Sequence, residues 1–399
     1  MTDAFATRAV HAGTPPDPIT GAIAPTISPS VNHVYDPESG GFSANDVSDM
    51  TAKPFVYARW TNPTVRMLEQ RVADLEEGET ALASASGMAA LATLFLGNLR
   101  AGDHLIVSDV CYPGVRELAS QLLPGLGIEV SAVNLSQPEA LRDALRPETR
   151  LVHAETPCNP ILRLTDLHVV AEITHEAGAL LSVDSTLATP VATRPLAHGA
   201  DVVMHSATKY LNGHGDAMGG VLIGAADIIE PLRATWGVRL GATLDPRAAA
   251  LILRGIDTLV PRVETASRNT LSVAEILEAS GVVERVIYPG LASHPQYDLA
   301  MRQMDLGGAV LSFRTRDVIE DARRLYRNLR LVRYAVSLGH QHANLCLLKT
   351  DDLMSSTYHL PQTEEEEYRI WAGNGVLRLS VGLEDPDDIA QDILSALEP

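Results

Sequence analysis

The chain has 399 residues, 46% of them hydrophobic and 20% charged, a balance ordinary for a globular protein with a large core and two or three subdomains. A formal net charge of -19, with no basic arm or stripe, speaks against nonspecific nucleic-acid binding. Cys111, Cys158 and Cys346 are widely spaced and form no Cys-x-x-Cys pair, so they read as small buried apolar residues and no metal cluster is expected.

The N-terminal stretch carries Asp3 and lacks the apolar core of a signal peptide. The longest apolar stretches, such as 88–96 and 248–253, fall short of the roughly 20 residues that a membrane span needs. A soluble cytoplasmic protein without a membrane partner is the expectation. Residues 1–60 are dense in proline and glycine and show little periodicity, which predicts an extended, mostly irregular arm. So long an irregular segment in a compact protein is disordered or docked on a partner surface. Its apolar Ile19, Ile23, Ile27 and Val31 favour docking, with a second copy of the chain as the simplest host.

Regular structure begins at Asn62-Pro63, an N-cap followed by proline at the first helical position, with Val65, Leu68, Val72 and Leu75 marking one face until Gly78. Short apolar runs at 105–107, 128–133, 151–153, 179–183 and 202–204 then alternate with helical stretches such as 165–176, ended by Gly178. Strand and helix at this spacing predict an α/β unit over 61–255 with a mostly parallel sheet covered on both faces. After Gly255 a smaller α/β unit, 256–399, is expected. It comprises a helix over 263–279, a strand over 309–314, a helix over 364–371 opened by a Thr363 capping box and stopped at Gly373, a strand over 376–381, and a helix over 386–397 capped by Asp385.

Ligands of such sheets bind at the carboxyl ends of the strands, and three features stand there. The run 202–204 empties into Ser206, Thr208, Lys209 and a string of glycines; a lysine amine held near other cations or poorly solvated loses proton affinity and becomes a nucleophile for an aldehyde. Asp184 closes the run 179–183, and the run 80–85 turns into an apolar helix at Ser86-Gly87-Met88. A small-residue turn that opens a helix suits a phosphate, because its free N–H groups and the helix dipole both favour an anion. Each feature alone is an ordinary strand end. Together, an amine, a carboxylate and a phosphate cradle are what pyridoxal 5'-phosphate requires.

The sequence at this point resembles the Cys/Met-metabolism pyridoxal-phosphate enzymes over nearly its whole length, from Thr7 to Asp385. The resemblance implies the pyridoxal-phosphate transferase fold (fold type I) and a homotetramer built from dimers. It assigns Tyr57 and Arg59, followed by Asn62-Pro-Thr64, to an arm that reaches the phosphate of the neighbouring subunit. Ser86, Gly87 and Met88 match the phosphate turn, and Ser206 and Thr208 match the hydroxyls beside the lysine. Tyr112 matches the aromatic stacked on the ring and the proton partner near the leaving group. Asn159 matches the contact to the cofactor hydroxyl, Asp184 the partner of the ring nitrogen, and Lys209 the cofactor anchor and base. Arg378 matches the clamp on the substrate carboxylate, with Ser337 nearby.

The implied activity is γ-elimination or γ-replacement on a homoserine-type amino acid, methionine γ-lyase-like in the first place. O-acetylhomoserine sulfhydrylase, cystathionine γ-synthase or γ-lyase, and a lyase for a γ-leaving group such as canavanine's are the alternatives. Departures from the family pattern fall at Pro113 and Gly114, in the arm at 25–35, and in the loop His340-Gln341-His342-Ala343-Asn344, where relatives usually carry a glutamate at the position of His342. All three places are expected near the distal end of the substrate, and His340 and His342 stand equally as loop histidines or substrate contacts.

Overall fold

A computed structural model describes residues 3–36, 38, 50–51 and 53–398; the part of the predicted arm at 39–49 lies outside it. The remainder of the arm is not wholly irregular. Helix α1, Phe5–His11, buries Ala9, and Arg8 ties it by ion pairs to Asp74 and Glu77 at 3.2 and 3.0 Å. These acids lie at the end of helix α2, Pro63–Glu76, and just beyond it. Buried Arg71 of α2 donates to the carbonyls of Ala9 and Ala12 and to Thr14 Oγ1. The root of the arm is helical because these partners satisfy it, which composition alone did not reveal. Beyond it, Ile19, Ile23 and Val34 are 93%, 86% and 100% exposed.

The Asn62 side chain caps α2 by accepting from Thr64 and Val65 N–H at 2.9 and 3.3 Å, and Val65, Leu68, Val72 and Leu75 are buried as their spacing predicts. The helix ends on Glu77, which itself takes the left-handed conformation at φ 61°. Gly78 serves packing instead, since a Cβ there would lie 2.5 Å from Ile223 Cγ2.

Strands β1 (Thr80–Ser84), β2 (His104–Ser108), β3 (Glu129–Val133), β4 (Thr149–Glu155), β5 (Leu180–Asp184), β6 (Val202–His205) and β7 (Gly220–Gly224) form a seven-stranded sheet in the order β1-β7-β6-β5-β4-β2-β3. It is parallel except for β7, which pairs antiparallel with both β1 and β6. The predicted strands all form, longer than their apolar runs by a residue or more at most ends; β7, hidden among glycines, was not foreseen. Gly220 must lack a side chain, because a Cβ would meet Ser86 O at 2.2 Å.

A second, five-stranded sheet orders β8 (Arg285–Ile287), β9 (Val310–Arg314), β10 (Arg333–Tyr334), β11 (Asn344–Lys349) and β12 (Gly375–Ser380) as β10-β11-β12-β9-β8. Helix Leu259–Ala279 precedes it, and one buried cluster joins Val203 and Ile223 of the first sheet to Val310 and Val376 of the second. The expected capping box at Thr363 does not form. Helix Gln362–Ala372 starts earlier, without a side-chain cap, so Thr363 sits inside its first turn and Glu366 Oε1 instead accepts from Gln362 Nε2 at 3.0 Å. Among the described residues no helix is long and apolar enough to cross a membrane.

Asn62 also holds the arm, donating from Nδ2 to Ser28 O at 2.9 Å. Asn62→Ala should therefore lower stability by about 1–2 kcal/mol, read as a shift of the denaturant midpoint at unchanged slope. An unchanged midpoint would show that the cap contributes nothing.

Candidate active site

The ends of four neighbouring strands, and the turn after β1, converge. Asp184 ends β5, where the register sets it against Glu155 of β4 and Met204 of β6. Lys209 follows β6. The Lys209 amine donates to Ser337 Oγ at 2.8 Å, and burial, then the nearby Arg378 cation, push its pKa below the usual lysine value. Ser337 holds an uncommon φ of 80°, a conformation that a serine keeps only where its surroundings impose it. Gly339 presses the same segment onto the lysine, since a Cβ there would lie 2.9 Å from Lys209 C.

Arg378 of β12 is buried and joins the two sheets. It donates from Nη1 to Asn159 Oδ1 at 2.8 Å and from Nη2 to Ser337 O at 3.1 Å. Asn159 follows β4, and its N–H donates to Glu155 Oε1 at 2.7 Å, while the N–H of Tyr112 donates to Glu155 Oε2 at 2.7 Å. Glu155 thus fixes the two loops that carry Asn159 and Tyr112. It stood in the sequence beside Asn159 without a role, because its importance depends on strand pairing. Burial, then the adjacent Asp184, raise its pKa to about 8. Asp184 is raised chiefly by burial as well, and it accepts from Thr186 N–H at 2.9 Å.

Helix α3, Gly87–Asn98, opens beside this cluster. Ser86 caps it, its hydroxyl accepting from Ala89 N–H at 3.1 Å, so the first helical N–H groups, those of Gly87 and Met88, have no carbonyl partner within the helix. A Cβ on Gly87 would stand 3.3 Å from Ser206 Oγ, which sets that hydroxyl next to the same turn. Thr208, by contrast, exchanges hydrogen bonds with Gly219, accepting from its N–H at 3.1 Å and donating to its carbonyl at 3.2 Å. Tyr112 is 48% exposed, and its ring lies against Gly114, where a Cβ would come within 2.7 Å of Tyr112 Cε1 and 2.9 Å of Met88 Sδ. Gly114 is therefore a fitting for the Tyr112 ring.

Tyr57 and Arg59 are held elsewhere in this chain: Arg59 Nη1 donates to Val238 O at 2.8 Å, and its guanidinium lies 5.4 Å from the Tyr57 ring centroid. His340 does enter the site region. Its Nε2 is 3.4 Å from Ser337 Oγ, its ring occupies the space left by the missing Cβ of Gly215, and it lines a cavity of about 570 Å³ with Ala85, Thr208, Met218 and Ser337. Burial, then His342 and Lys209, hold its pKa down. The His342 ring centroid lies 5.4 Å from that of His340, the two planes tilted by 58°, and His342 Nε2 faces Arg333 Nη1 at 3.3 Å.

The donor set fits pyridoxal phosphate: free helix N–H groups beside a hydroxyl for the phosphate, a buried carboxylate for a protonated ring nitrogen, and an amine of lowered proton affinity. Fold and site together define a pyridoxal-phosphate-dependent enzyme. The chain matches the model of the Cys/Met metabolism PLP-dependent enzyme family over residues 6–398, and it belongs to that family. It is 39% identical to an L-methionine gamma-lyase of Porphyromonas gingivalis, over 100% of this chain and 98% of the relative. It is also 39% identical to a canavanine gamma-lyase of Pseudomonas canavaninivorans, over 98% and 96% of the two chains. An O-succinylhomoserine sulfhydrylase of Pseudomonas aeruginosa is 40% identical over 86% and 83%.

The raised pKa of Glu155 has a thermodynamic consequence. The folded protein retains a proton that the unfolded chain releases near the ordinary carboxylate value of 4.5, so stability is full below that pH and falls as pH rises through about 8. The cofactor-free protein should lose stability over this window. In Glu155→Gln the loss should be smaller, which thermal melts at a series of pH values measure. Parallel pH profiles for the two proteins would contradict the assignment.

Proposed function

We propose that this chain catalyses γ-elimination or γ-replacement on a γ-substituted, homoserine-type amino acid, with a methionine γ-lyase-like activity as the first reading. The observation that carries it is the Lys209 amine, held by Ser337 at 2.8 Å beside the Arg378 cation, within a family whose relatives named above are γ-lyases and a sulfhydrylase. Bound pyridoxal phosphate supplies an aldehyde for the amine and a ring that withdraws electrons from the substrate carbon.

The residues then have distinct work. Gly87 and Met88 N–H with the hydroxyls of Ser86, Ser206 and Thr208 hold the phosphate; for Ser86 and Thr208 this means exchanging their present partners. The Asp184 carboxylate would hold the ring nitrogen and keep it protonated. Arg378 clamps the substrate carboxylate with Ser337, and Asn159 holds the ring hydroxyl. Lys209 Nζ would take the proton from Cα, release it to the carbon that carried the cofactor's aldehyde oxygen, and, as a free amine again, take one from Cβ, for which its lowered pKa suits it. Tyr112 would pack on the ring and hand a proton to the departing γ-group.

A second reading, a lyase for a hydrogen-bonding γ-group such as canavanine's, is favoured by His340 on the cavity wall and by a canavanine gamma-lyase standing at the same 39% identity. Incubation with methionine, canavanine, cystathionine and acylated homoserines, scoring 2-oxobutanoate or homoserine, ammonia and the released group, separates the readings. Amine exchange that needs a keto acid and releases no γ-group would refute both. Lys209→Ala should be inactive and lack the visible absorbance of the lysine-bound cofactor.

The exposed Ile19, Ile23 and Val34 of the arm support docking on a second copy of the chain, in a homotetramer built from dimers in which Tyr57 and Arg59 complete a neighbour's phosphate site, with 61–255 as the cofactor-binding unit and 256–399 as the C-terminal α/β unit. Arg59→Ala should then weaken cofactor binding by about 1.5–3 kcal/mol, the worth of a charge-assisted hydrogen bond. Unchanged affinity in a cofactor titration would place the arm away from the phosphate.

A further inference from the structure

Tyr358 has no role in the chemistry above, yet it is 0% exposed and touches the site twice. It closes the π-helical turn Met354–Tyr358, beyond β11 in the second sheet; such turns are rare and recur at functional sites. Its own carbonyl accepts from Arg116 Nη2 at 2.8 Å, which pins the turn to helix α4, Pro113–Glu117. Its hydroxyl lies 2.9 Å from Cys111 O and 3.4 Å from Asn159 O. A phenol has one proton to give, and the shorter distance assigns it to Cys111.

Cys111 O belongs to the same peptide group as the Tyr112 N–H, which donates to Glu155 Oε2. Both polar ends of that one peptide unit are therefore held, by a carboxylate from the first sheet and a phenol from the second unit. The same two side chains also flank Asn159, whose N–H goes to Glu155 Oε1 and whose carbonyl faces Tyr358. Burial raises the phenol's pKa well above its usual value, so the hydroxyl stays protonated and remains a donor.

We propose that Tyr358 is a positioning residue: by gripping the Cys111-Tyr112 peptide from the second sheet's side, it sets the Tyr112 ring and hydroxyl over the site. The proposal rests on the reading of Tyr112 as the ring-stacking proton partner. Without the hydroxyl, the Cys111 carbonyl loses its partner and the peptide can tilt about the remaining Glu155 bond. The Tyr358 ring, packed at 6.1 Å from the Tyr368 ring, stays in place in a phenylalanine variant, so the fold is spared.

The test compares wild-type holoenzyme with Tyr358→Phe, Tyr112→Phe and the double variant. Amide hydrogen exchange over residues 111–116 should speed on the order of tenfold in Tyr358→Phe, as a lost local hydrogen bond requires. On the best substrate of the panel, kcat should fall on the order of tenfold with KM held within about twofold, the pattern of a misplaced reacting group. In the Tyr112→Phe background the same change should cost less than about twofold, because the two act through one group. Unchanged exchange at 111–116, faster exchange with unchanged kcat, or an equal loss in both backgrounds each overturns the proposal. If no panel substrate is consumed, the γ-chemistry reading has failed, and the exchange measurement alone decides whether Tyr358 holds the peptide.

Discussion

Arg378 is the joint on which this site depends. Its guanidinium reaches Asn159 in the loop after β4 and the Ser337 carbonyl at the edge of the second sheet, so one buried cation fixes the relative placement of groups that lie far apart in the chain. Its charge also helps hold down the pKa of Lys209 and partly offsets the burial that raises Glu155. A buried cation leaves such marks because water is not there to screen it. The same placement that supports the fold therefore tunes the amine.

Around this joint the charges alternate in a small volume. Glu155 and Asp184 stand side by side on adjacent strands, and like charges so close resist ionising together. A protonated ring nitrogen beside Asp184 would relieve that tension, which is a physical reason for the pair to favour a cationic heterocycle. Ser337, strained at φ 80°, carries the amine on its hydroxyl and one bond of Arg378 on its carbonyl, and His340 extends this line toward the cavity.

Much of this was legible in the sequence because it is local. Asn62-Pro63 opened its helix as read, the apolar runs became the parallel strands, and Asp184 and Lys209 came out at neighbouring strand ends since a strand followed by a small-residue loop allows little else. What stayed hidden depends on tertiary pairing. Strand β7 offers only Val221, Leu222 and Ile223 between glycines, and its need for glycine at 220 is set by Ser86, far away in the sequence. Glu155 acquires its role from two backbone N–H groups of different loops. Thr363 failed as a cap because Pro361 and Gln362 start the helix earlier. The arm's helical root rests on Arg8 and Arg71, whose partners no periodicity announces.

The central claim is that Lys209 is the amine that bonds the cofactor, and the chain's composition makes it unusually easy to test. Its only lysines are Lys53, Lys209 and Lys349. Borohydride reduction of the purified holoenzyme followed by peptide mapping should find the reduced pyridoxyl group on Lys209 alone. Label on Lys53 or Lys349, or no label on a protein that consumes its substrate, would contradict the account.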